Sequence, residues 1–263
     1  MKDVWNPEQY EKFKTERLQP FYDLLALVRP RVDMRVADLG CGTGEPTSIL
    51  HEQLQARETI GFDNSDAMLA KAKLLEGNGL RFEKCDIENF AAESERSVAY
   101  GQFDLIFSNA ALHWAQNHQT LIRQLMCALS DGGQFAAQIP SNHHHPSHVV
   151  ANRVASEIPF REALDGYIRE EFILTPEEYA TLFHRSGFRD YLVRSQIYVH
   201  PLESRESVVD WVKSTRLTDY QKRLSEEMYA LYLERYKECL MEELEDEHPF
   251  LYTYNRILLW ARK

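Results

Sequence analysis

Residues 38–44 alternate three glycines directly after an apolar run that ends beside a carboxylate, in the order Asp-Leu-Gly-Cys-Gly-Thr-Gly. A loop of this kind lets backbone N–H groups approach a ligand closely, because glycine has no Cβ in the way. A second carboxylate, Asp63, ends the next apolar run at residues 59–63. The two segments predict a nucleotide-like cofactor held where two buried strands end.

The spacing of the glycines distinguishes among cofactors. A dinucleotide-binding loop reads G-x-G-x-x-G, and its third glycine lets a helix pack closely below a pyrophosphate. This chain has G-x-G-x-G, and Glu45 stands where that third glycine belongs. A carboxylate there repels a pyrophosphate but tolerates a cationic cofactor, which disfavours a nicotinamide-dependent oxidoreductase. A P-loop is excluded because no Gly-Lys-Ser/Thr follows, and a glycine-rich turn without a ligand is the remaining alternative.

Length and composition indicate an ordinary globular enzyme. The 263 residues can bury a large core within one domain. The formal net charge of −11 disfavours nucleic acid as a partner, since phosphate backbones attract basic surfaces. The N-terminal residues lack a signal-peptide pattern, and no stretch reaches the ~20 apolar residues of a membrane span, so we expect a cytoplasmic protein without a membrane partner. The four cysteines lie far apart, which argues against a zinc site or disulfides.

Strand and helix patterns alternate along the first half of the chain. Strands are predicted at residues 36–39, 59–63, 80–84, 103–108 and 134–139, and helices at 20–29, 46–54, 66–75 and 119–129, after a first helix that starts at Asn6. This alternation is typical of a parallel sheet with helices on both faces.

After Pro140 the alternation breaks into a loop that carries histidines and a proline. A capping box at Thr175 with proline at the first helical position then predicts a helix that stops at Gly187. Three further elements are predicted, namely a strand at 191–199, a long helical stretch at 204–247 and a last strand at 252–260.

The glycine loop resembles the first motif of class I S-adenosylmethionine-dependent methyltransferases, and Asp63 stands where that family places the acid after its second strand. Residues 84–87, 103–109 and 129–133 match later motifs of the family in the same order. The resemblance implies an α/β fold, a seven-stranded Rossmann-like sheet with an antiparallel last strand and a helical cap. It implies a single methyltransferase domain over 1–263, with a core at 34–140, 172–200 and 249–263, N-terminal helices at 1–33 and cap insertions at 141–171 and 202–247.

The resemblance also assigns roles to polar residues at the strand ends. Asp63 would accept hydrogen bonds from ribose hydroxyls, Asp86 from the adenine amino group, and Asp38 would meet the methionine ammonium. For Asp63 a helix-capping role is the alternative, because residues 64–66 also offer caps. The S-adenosylmethionine-binding residues that the resemblance implies are Asp38, Gly40, Cys41, Gly42, Gly44, Asp63, Asn64, Met68, Asp86, Ile87, Asn109 and Ala110.

The expected reaction depends more on alignment of the two reactants than on acid or base catalysis, because methyl transfer from a sulfonium is an in-line displacement. A carboxylate acceptor, with an ordinary pKa of about 4, is ionised at neutral pH, whereas an amine or hydroxyl needs a base. His113 is the candidate catalytic base, and a structural polar role is an equal alternative. The consecutive histidines 143–145 cannot easily converge on one ion, so no metal is expected.

Beyond the shared core, the chain resembles the trans-aconitate methyltransferase subgroup. The segments that carry this resemblance are residues 5–10, 17–20, 108–114, 138–142, 146–148, 209–212 and 255–262. The subgroup esterifies one carboxylate of a small tricarboxylate, and arginines can bind such groups bidentately. The chain departs from the subgroup at residues 143–145 and 215–219, where Arg216 stands beside the position of an expected arginine.

The resemblance therefore predicts an S-adenosylmethionine-dependent methyltransferase for a small acidic acceptor, acting as a monomer or weak dimer. Methylation of a hydroxyl or amine on a small or carrier-bound acceptor, and cofactor binding without catalysis, remain as alternatives. Trp5 and Tyr10 are expected to fold over the cofactor. The predicted acceptor contacts are Trp5, Tyr10, Arg17, Trp114, Asn142, His148, Tyr198, Tyr254 and Arg256.

Overall fold

The computed structural model describes residues 14–96 and 102–263. The α-helices of this part are α1 (Lys14–Leu25), α2 (Glu45–Leu54), α3 (Asp66–Ala72), α4 (Ile87–Arg96), α5 (His118–Cys127), α6 (Pro146–Ala155), α7 (Phe160–Ala163), α8 (Pro176–Ser186), α9 (Ser207–Lys213), α10 (Thr218–Arg223) and α11 (Glu226–Glu243). Short 3₁₀ helices span Lys73–Leu75 and Leu112–Trp114.

Seven strands form one sheet in the order β3-β2-β1-β4-β5-β7-β6. They are β1 (Arg35–Leu39), β2 (Glu58–Asp63), β3 (Leu80–Lys84), β4 (Phe103–Asn109), β5 (Leu129–Pro140), β6 (Asp190–Leu202) and β7 (Phe250–Arg262). The pairings among β1 to β5 are parallel, and β7 pairs with β5 in the antiparallel sense. The seven-stranded α/β sheet with an antiparallel last strand is thereby confirmed.

The sheet buries side chains on both faces, as the strand periodicity requires. Ala37 and Leu39 of β1 pack in one core cluster, whereas Val36 packs in another. Successive side chains of a strand point to opposite faces, so the two clusters lie on opposite sides of β1. Near-continuous apolar strands are what a parallel sheet covered on both faces needs.

The order of the strands places a ligand crevice between β1 and β4. The chain runs outward from β1 to β3 on one side of the sheet, and then returns to place β4 on the other side of β1. In open parallel sheets this reversal leaves a crevice beyond the carboxyl ends of the two strands, where ligands bind. The glycine loop directly follows β1, which places it at this point.

The chain divides into two compact units. The sheet unit contains Arg17–Pro140, Phe172–Gln196 and Arg256–Lys263. The helical unit contains Ser141–Glu171 and Ile197–Asn255, and its core is rich in fully buried aromatic rings. These rings are Trp211, Tyr220, Tyr232, Tyr236 and Tyr252. The sequence-based assignment of core, N-terminal helices and cap insertions within one domain stays a prediction.

Several helices differ from the sequence-based expectation. The helix predicted at 20–29 spans Lys14–Leu25 instead, with Pro20 inside it. The histidine-bearing loop contains α6, and α4 was not predicted at all. The helical stretch at 204–247 is divided into α9, α10 and α11. Ser225 explains the last division, because its side chain accepts from the Met228 backbone and starts a new helix.

The capping box predicted at Thr175 is confirmed in full. The Thr175 side chain accepts from the backbone N–H of Glu178, and the Glu178 carboxylate accepts from that of Thr175. The helix ends at Gly187, which adopts φ 84°. In the part of the chain that the structure describes, no helix is both long and apolar enough to cross a membrane.

Candidate functional site

The loop after β1 requires its glycines for different reasons. Gly40 has φ 77°, and a Cβ there would lie 2.2 Å from the Ala111 Cβ, so the loops after β1 and β4 touch. A Cβ on Gly44 would lie 2.7 Å from the ring of Phe82. Gly42 has φ 57°, and no atom of the described residues lies within 4 Å of the place a Cβ would take. Gly40 and Gly44 therefore permit close packing, and Gly42 leaves room where a side chain would stand.

Asp63 is oriented toward this loop. One carboxylate oxygen accepts from the Gly42 backbone N–H at 2.9 Å, and the other accepts from the Ser65 N–H at 2.9 Å. The helix α3 is capped by Ser65, whose hydroxyl accepts from the Met68 N–H at 3.3 Å. The sequence left helix capping as an alternative role for Asp63. In the structure Ser65 is the residue that caps α3. Each Asp63 oxygen keeps a lone pair with which it can accept from a ligand hydroxyl.

Asp38 lies buried at the end of β1, with only 4% of its surface exposed. The Thr47 hydroxyl, on α2, donates to its carboxylate at 2.6 Å. Burial raises the Asp38 pKa to about 7, and the negative charge of Asp63 adds to the shift. A buried carboxylate in this position is stabilised by a ligand cation. Thr47 is a site residue that sequence reasoning missed, although its position one turn into α2 was a usable signal.

Asp86 and Ile87 lie where β3 leads into α4. The Asp86 carboxylate accepts from the Asn89 backbone N–H at 2.8 Å and from the Asn89 side chain. Asp86 thus starts a helix as well as being a candidate for adenine recognition. The Ile87 side chain comes within 4.0 Å of the place a Gly40 Cβ would take, which brings it to the glycine loop. Met68 is half-buried in α3, whereas Asn64 is exposed.

The end of β4 carries backbone strain and an unpaired polar atom. Ala110 has φ 54°, a conformation that side chains other than glycine rarely adopt, and its N–H donates to the Gln138 carbonyl at 2.9 Å. Strained backbone of this kind clusters at ligand sites. The Oδ1 atom of Asn109 is buried and has no hydrogen-bond partner among the described residues. A ligand donor would satisfy it.

Arg256 lies in β7 opposite Pro140 of β5 and is 7% exposed. Its guanidinium donates to the Gln138 side-chain oxygen at 3.3 Å. Gln138 in turn pairs with Asn109 in the register of β5 and β4. The three polar side chains therefore occupy neighbouring positions of the sheet unit. The sequence-based prediction of site residues did not include Gln138, and its signal was a polar residue directly after the apolar run 135–137 of β5.

His113 and Trp114 follow the strained residue in the 3₁₀ helix Leu112–Trp114. Their rings lie 4.9 Å apart, with His113 half-buried and Trp114 42% exposed. Both residues belong to the sheet unit that holds the glycine loop. Neither the catalytic role predicted for His113 nor the acceptor contact predicted for Trp114 is decided by this geometry.

The remaining predicted acceptor contacts with described side chains lie in the helical unit. Asn142 accepts from the Asn255 backbone N–H at 3.0 Å. The rings of His148 and Tyr254 lie 6.3 Å apart, edge to face, and Tyr198 is buried. Their acceptor-binding roles stay predictions. Trp5, Tyr10 and the side chain of Arg17 lie outside the described residues.

The three consecutive histidines have unequal surroundings. His145 starts α6, where its Nδ1 accepts from the Ser147 N–H at 3.1 Å, and burial lowers its pKa to about 4. His143 is half-buried and His144 exposed. Within residues 14–96 and 102–263, no three His, Cys, Asp or Glu side chains are grouped so that they could hold a metal ion.

Comparisons with known proteins agree with this geometry. A methyltransferase domain family matches residues 30–187. The sequence is 37% identical to the trans-aconitate 2-methyltransferase of Deinococcus radiodurans, across 99% of this chain and 98% of that protein. It is 34% identical to the trans-aconitate 2-methyltransferase of Variovorax paradoxus, across 98% and 95%.

Solved structures share the fold at lower sequence identity. The YcgJ protein of Bacillus subtilis has a TM-score of 0.57 at 17% identity, covering 93% of this chain and 98% of that one. The phosphoethanolamine N-methyltransferase 2 of Haemonchus contortus, solved with S-adenosyl-L-methionine, has a TM-score of 0.55 at 17% identity, covering 93% and 52%. The match of family, full-length relatives and fold places the chain among the S-adenosylmethionine-dependent methyltransferases, and it belongs to that family.

Proposed function

We propose that the chain transfers a methyl group to one carboxylate of a small tricarboxylic acid such as trans-aconitate, giving a monomethyl ester. The observation that carries the proposal is the guanidinium of Arg256, which is buried in the sheet unit and donates to the Gln138 side chain at 3.3 Å. Arginine binds carboxylates by charge-assisted, often bidentate hydrogen bonds, so Arg256 suits an acidic acceptor. Relatives at 37% and 33% identity that are named for this reaction support the same acceptor.

The residues around the glycine loop fit S-adenosylmethionine. The buried carboxylate of Asp38 would pair with the ammonium of the methionyl group, and Asp63 would accept from the ribose hydroxyls. Within the described residues, Gly42 leaves space for a ligand and the Asn109 Oδ1, which has no hydrogen-bond partner there, offers an acceptor at the end of β4. When bound, the cofactor supplies an electrophilic methyl group on a positively charged sulfur.

The chain's own residues then have to position the acceptor rather than activate it. A carboxylate with an ordinary pKa of about 4 is already a nucleophile at neutral pH. Arg256 would hold one carboxylate of the acceptor by charge-assisted hydrogen bonds and fix the direction of attack. A hydroxyl or amine acceptor would instead need His113 to remove a proton.

Incubation of the protein with isotope-labelled cofactor and a panel of tri-, di- and monocarboxylates tests the proposal. We expect a labelled product with a tricarboxylate, and mild base should release the label as methanol, because esters hydrolyse where ethers and methylamines do not. The Asp63→Ala variant serves as the control without a competent cofactor site. A base-stable product, or an acceptor that depends on His113 and lacks a carboxylate, would contradict the proposal.

A further inference from the structure

Two arginines lie almost completely buried together in the helical unit. Arg216 is 3% exposed and Arg169 is 9% exposed, and an Arg169 Nη1–H donates to the Arg216 carbonyl at 3.4 Å. Burial of two like charges side by side costs free energy unless each is well paired. Arg169 has Asp219 at 3.4 Å, and burial together with Arg216 lowers the Arg169 pKa. The proposed function uses neither arginine.

The Arg216 guanidinium is held in place by its neighbours. One nitrogen donates to the Glu171 carboxylate, and another donates to the Asn152 side-chain oxygen at 2.8 Å. The Tyr220 hydroxyl donates to the same Asn152 oxygen at 2.7 Å. A guanidinium fixed in this way is preorganised to bind a planar carboxylate. Glu171 shows directly which chemical group the Arg216 guanidinium accepts as a partner.

Polar atoms of this cluster are left without partners. Arg216 Nε is buried and has no hydrogen-bond acceptor among the described residues. The Nδ1 atom of His143 is likewise buried and unpaired within that part of the chain. Burial holds the pKa of His143 below its ordinary value, and the positively charged Arg216 also disfavours its protonation. A neutral imidazole still carries one N–H donor, so the cluster has spare donors.

Glu171 differs from the two arginines in its exposure. Its side chain is 28% exposed, whereas that of Arg216 is 3% exposed. The carboxylate that neutralises Arg216 is therefore more exposed to solvent than the guanidinium with which it pairs. Part of the Glu171 side chain already contacts solvent, so an outward turn would rehydrate its carboxylate.

We propose that Arg216, with Arg169 and His143, forms a carboxylate-binding site for a small polycarboxylic acid, and that Glu171 occupies this site until the ligand displaces it. The choice of a polycarboxylic acid rests on the proposed function, whereas the preference for a carboxylate follows from Arg216 itself. The ligand is either the methyl acceptor or a second, unreacted polycarboxylic acid, and both present the same group to the arginines.

Binding of trans-aconitate and of tricarballylate, measured by calorimetry with S-adenosylhomocysteine present, tests the site directly. We expect Arg216→Lys to bind at least tenfold more weakly, because lysine loses the planar donor geometry. Arg235→Lys is the matched control, since Arg235 is 43% exposed on α11 of the same unit and pairs with Glu157 at the surface. Equal binding by Arg216→Lys and the wild type would overturn the proposal.

Glu171→Gln provides a second test, which remains informative if Arg216→Lys fails to fold. Removal of the internal carboxylate leaves Arg216 without its counter-charge, so the variant should melt at a lower temperature in the absence of ligand. Tricarballylate should then raise its melting temperature by more than it raises that of the wild type. A ligand-induced shift equal to or smaller than the wild-type shift would refute displacement of Glu171.

Turnover measured on the same proteins separates this site from the proposed function. A raised KM for the esterified acid in Arg216→Lys, at unchanged kcat, identifies the ligand as the acceptor. Weaker binding of an unmethylated acid, with KM for the acceptor unchanged, identifies a second ligand. Loss of binding in Arg216→Lys when the wild type forms no ester supports the site and rejects the proposed function. Ester formation by the wild type, with unaltered binding in Arg216→Lys, supports the proposed function and rejects the Arg216 site.

Discussion

The buried carboxylate of Asp38 couples cofactor binding to pH. Its pKa in the ligand-free protein is raised to about 7 by burial, so the carboxyl is partly protonated at neutral pH. The cofactor ammonium favours the ionised form, and binding should release a proton. We expect affinity for S-adenosylhomocysteine to fall as the pH is lowered from 8 to 6, approaching tenfold per pH unit below the pKa.

Calorimetry at several pH values measures this effect. Asp38→Asn keeps an oxygen that can accept from Thr47 but removes the titrating group. Its affinity should be lower than that of the wild type at pH 8 and nearly independent of pH. An equally steep pH profile in Asp38→Asn would show that another group titrates.

Arg256 provides the residue-scale test of the acceptor. Loss of charge-assisted hydrogen bonds of about 1.5–3 kcal/mol should raise KM for an acidic acceptor roughly ten- to hundredfold in Arg256→Ala. The affinity for S-adenosylhomocysteine should stay within a few-fold of the wild type, which also shows that the variant folds. Arg123→Ala is the matched control, since Arg123 is exposed on α5 of the same unit. An unchanged KM for every carboxylate acceptor would exclude Arg256 as a contact.

At the scale of elements, two glycines of the loop have different roles: Gly40 permits packing against the next loop, and Gly42 leaves room for a ligand. Gly40→Ala would place a Cβ 2.2 Å from the Ala111 Cβ, whereas the Cβ of Gly42→Ala would have no atom within 4 Å in the part of the chain that the structure describes. Both carry the cost of about 1–2 kcal/mol for a side chain at positive φ. We expect Gly40→Ala to lower the melting temperature more, and Gly42→Ala to lose cofactor affinity while it remains folded. Thermal unfolding and S-adenosylhomocysteine binding measure the two effects, and equal destabilisation would contradict the distinction.

The strands were largely predictable because buried parallel strands are short apolar runs bounded by turn residues. The prediction at residues 80–84 agrees with β3 at both ends, and those for β1 and β2 start one residue late. Helix α4 was missed because its apolar side consists of little more than Phe90 and Ala91. Local patterns therefore identified the strands better than the more polar helices.

The candidate site was only partly predictable, for a related reason. The glycine loop and Asp63 are local signals in sequence, since each stands at a strand end. The Arg256–Gln138 contact joins residues 118 positions apart, and the Arg216–Glu171 contact joins residues 45 apart. Such pairs depend on tertiary structure, so a sequence shows the candidate arginines but not their partners.

For the whole molecule, four histidines whose pKa is lowered by burial set the response of stability to acid. They are His118 in the sheet unit and His143, His145 and His148 in the helical unit. A histidine whose folded pKa lies below 6.5 binds more protons when unfolded, so stability is present above pH 6.5 and is lost as the pH falls. Each buried histidine costs up to about 1.4 kcal/mol per pH unit until its folded pKa is reached, and the half-buried His143 and His145 cost less because solvent screens them.

Asp38 acts in the opposite direction in the ligand-free protein. Its folded pKa of about 7 lies above the ordinary value of 3.8, so its contribution to stability grows as the pH falls between these values. Denaturant unfolding at pH 7.5, 6.5 and 5.5 should still show lower stability at acid pH, because four histidines with lowered pKa oppose one aspartate with raised pKa. His148→Asn should flatten the profile. A free energy of unfolding of the wild type that rises toward pH 5.5 would contradict the prediction that the histidines outweigh Asp38.

The contact between the loops after β1 and β4 also has an evolutionary consequence. Because a Cβ on Gly40 would lie 2.2 Å from that of Ala111, neither position can gain volume unless the other gives way. Position 40 carries no side chain, and position 111 carries the smallest one. We therefore expect relatives with a larger residue at either position to show a compensating change of backbone in the other loop.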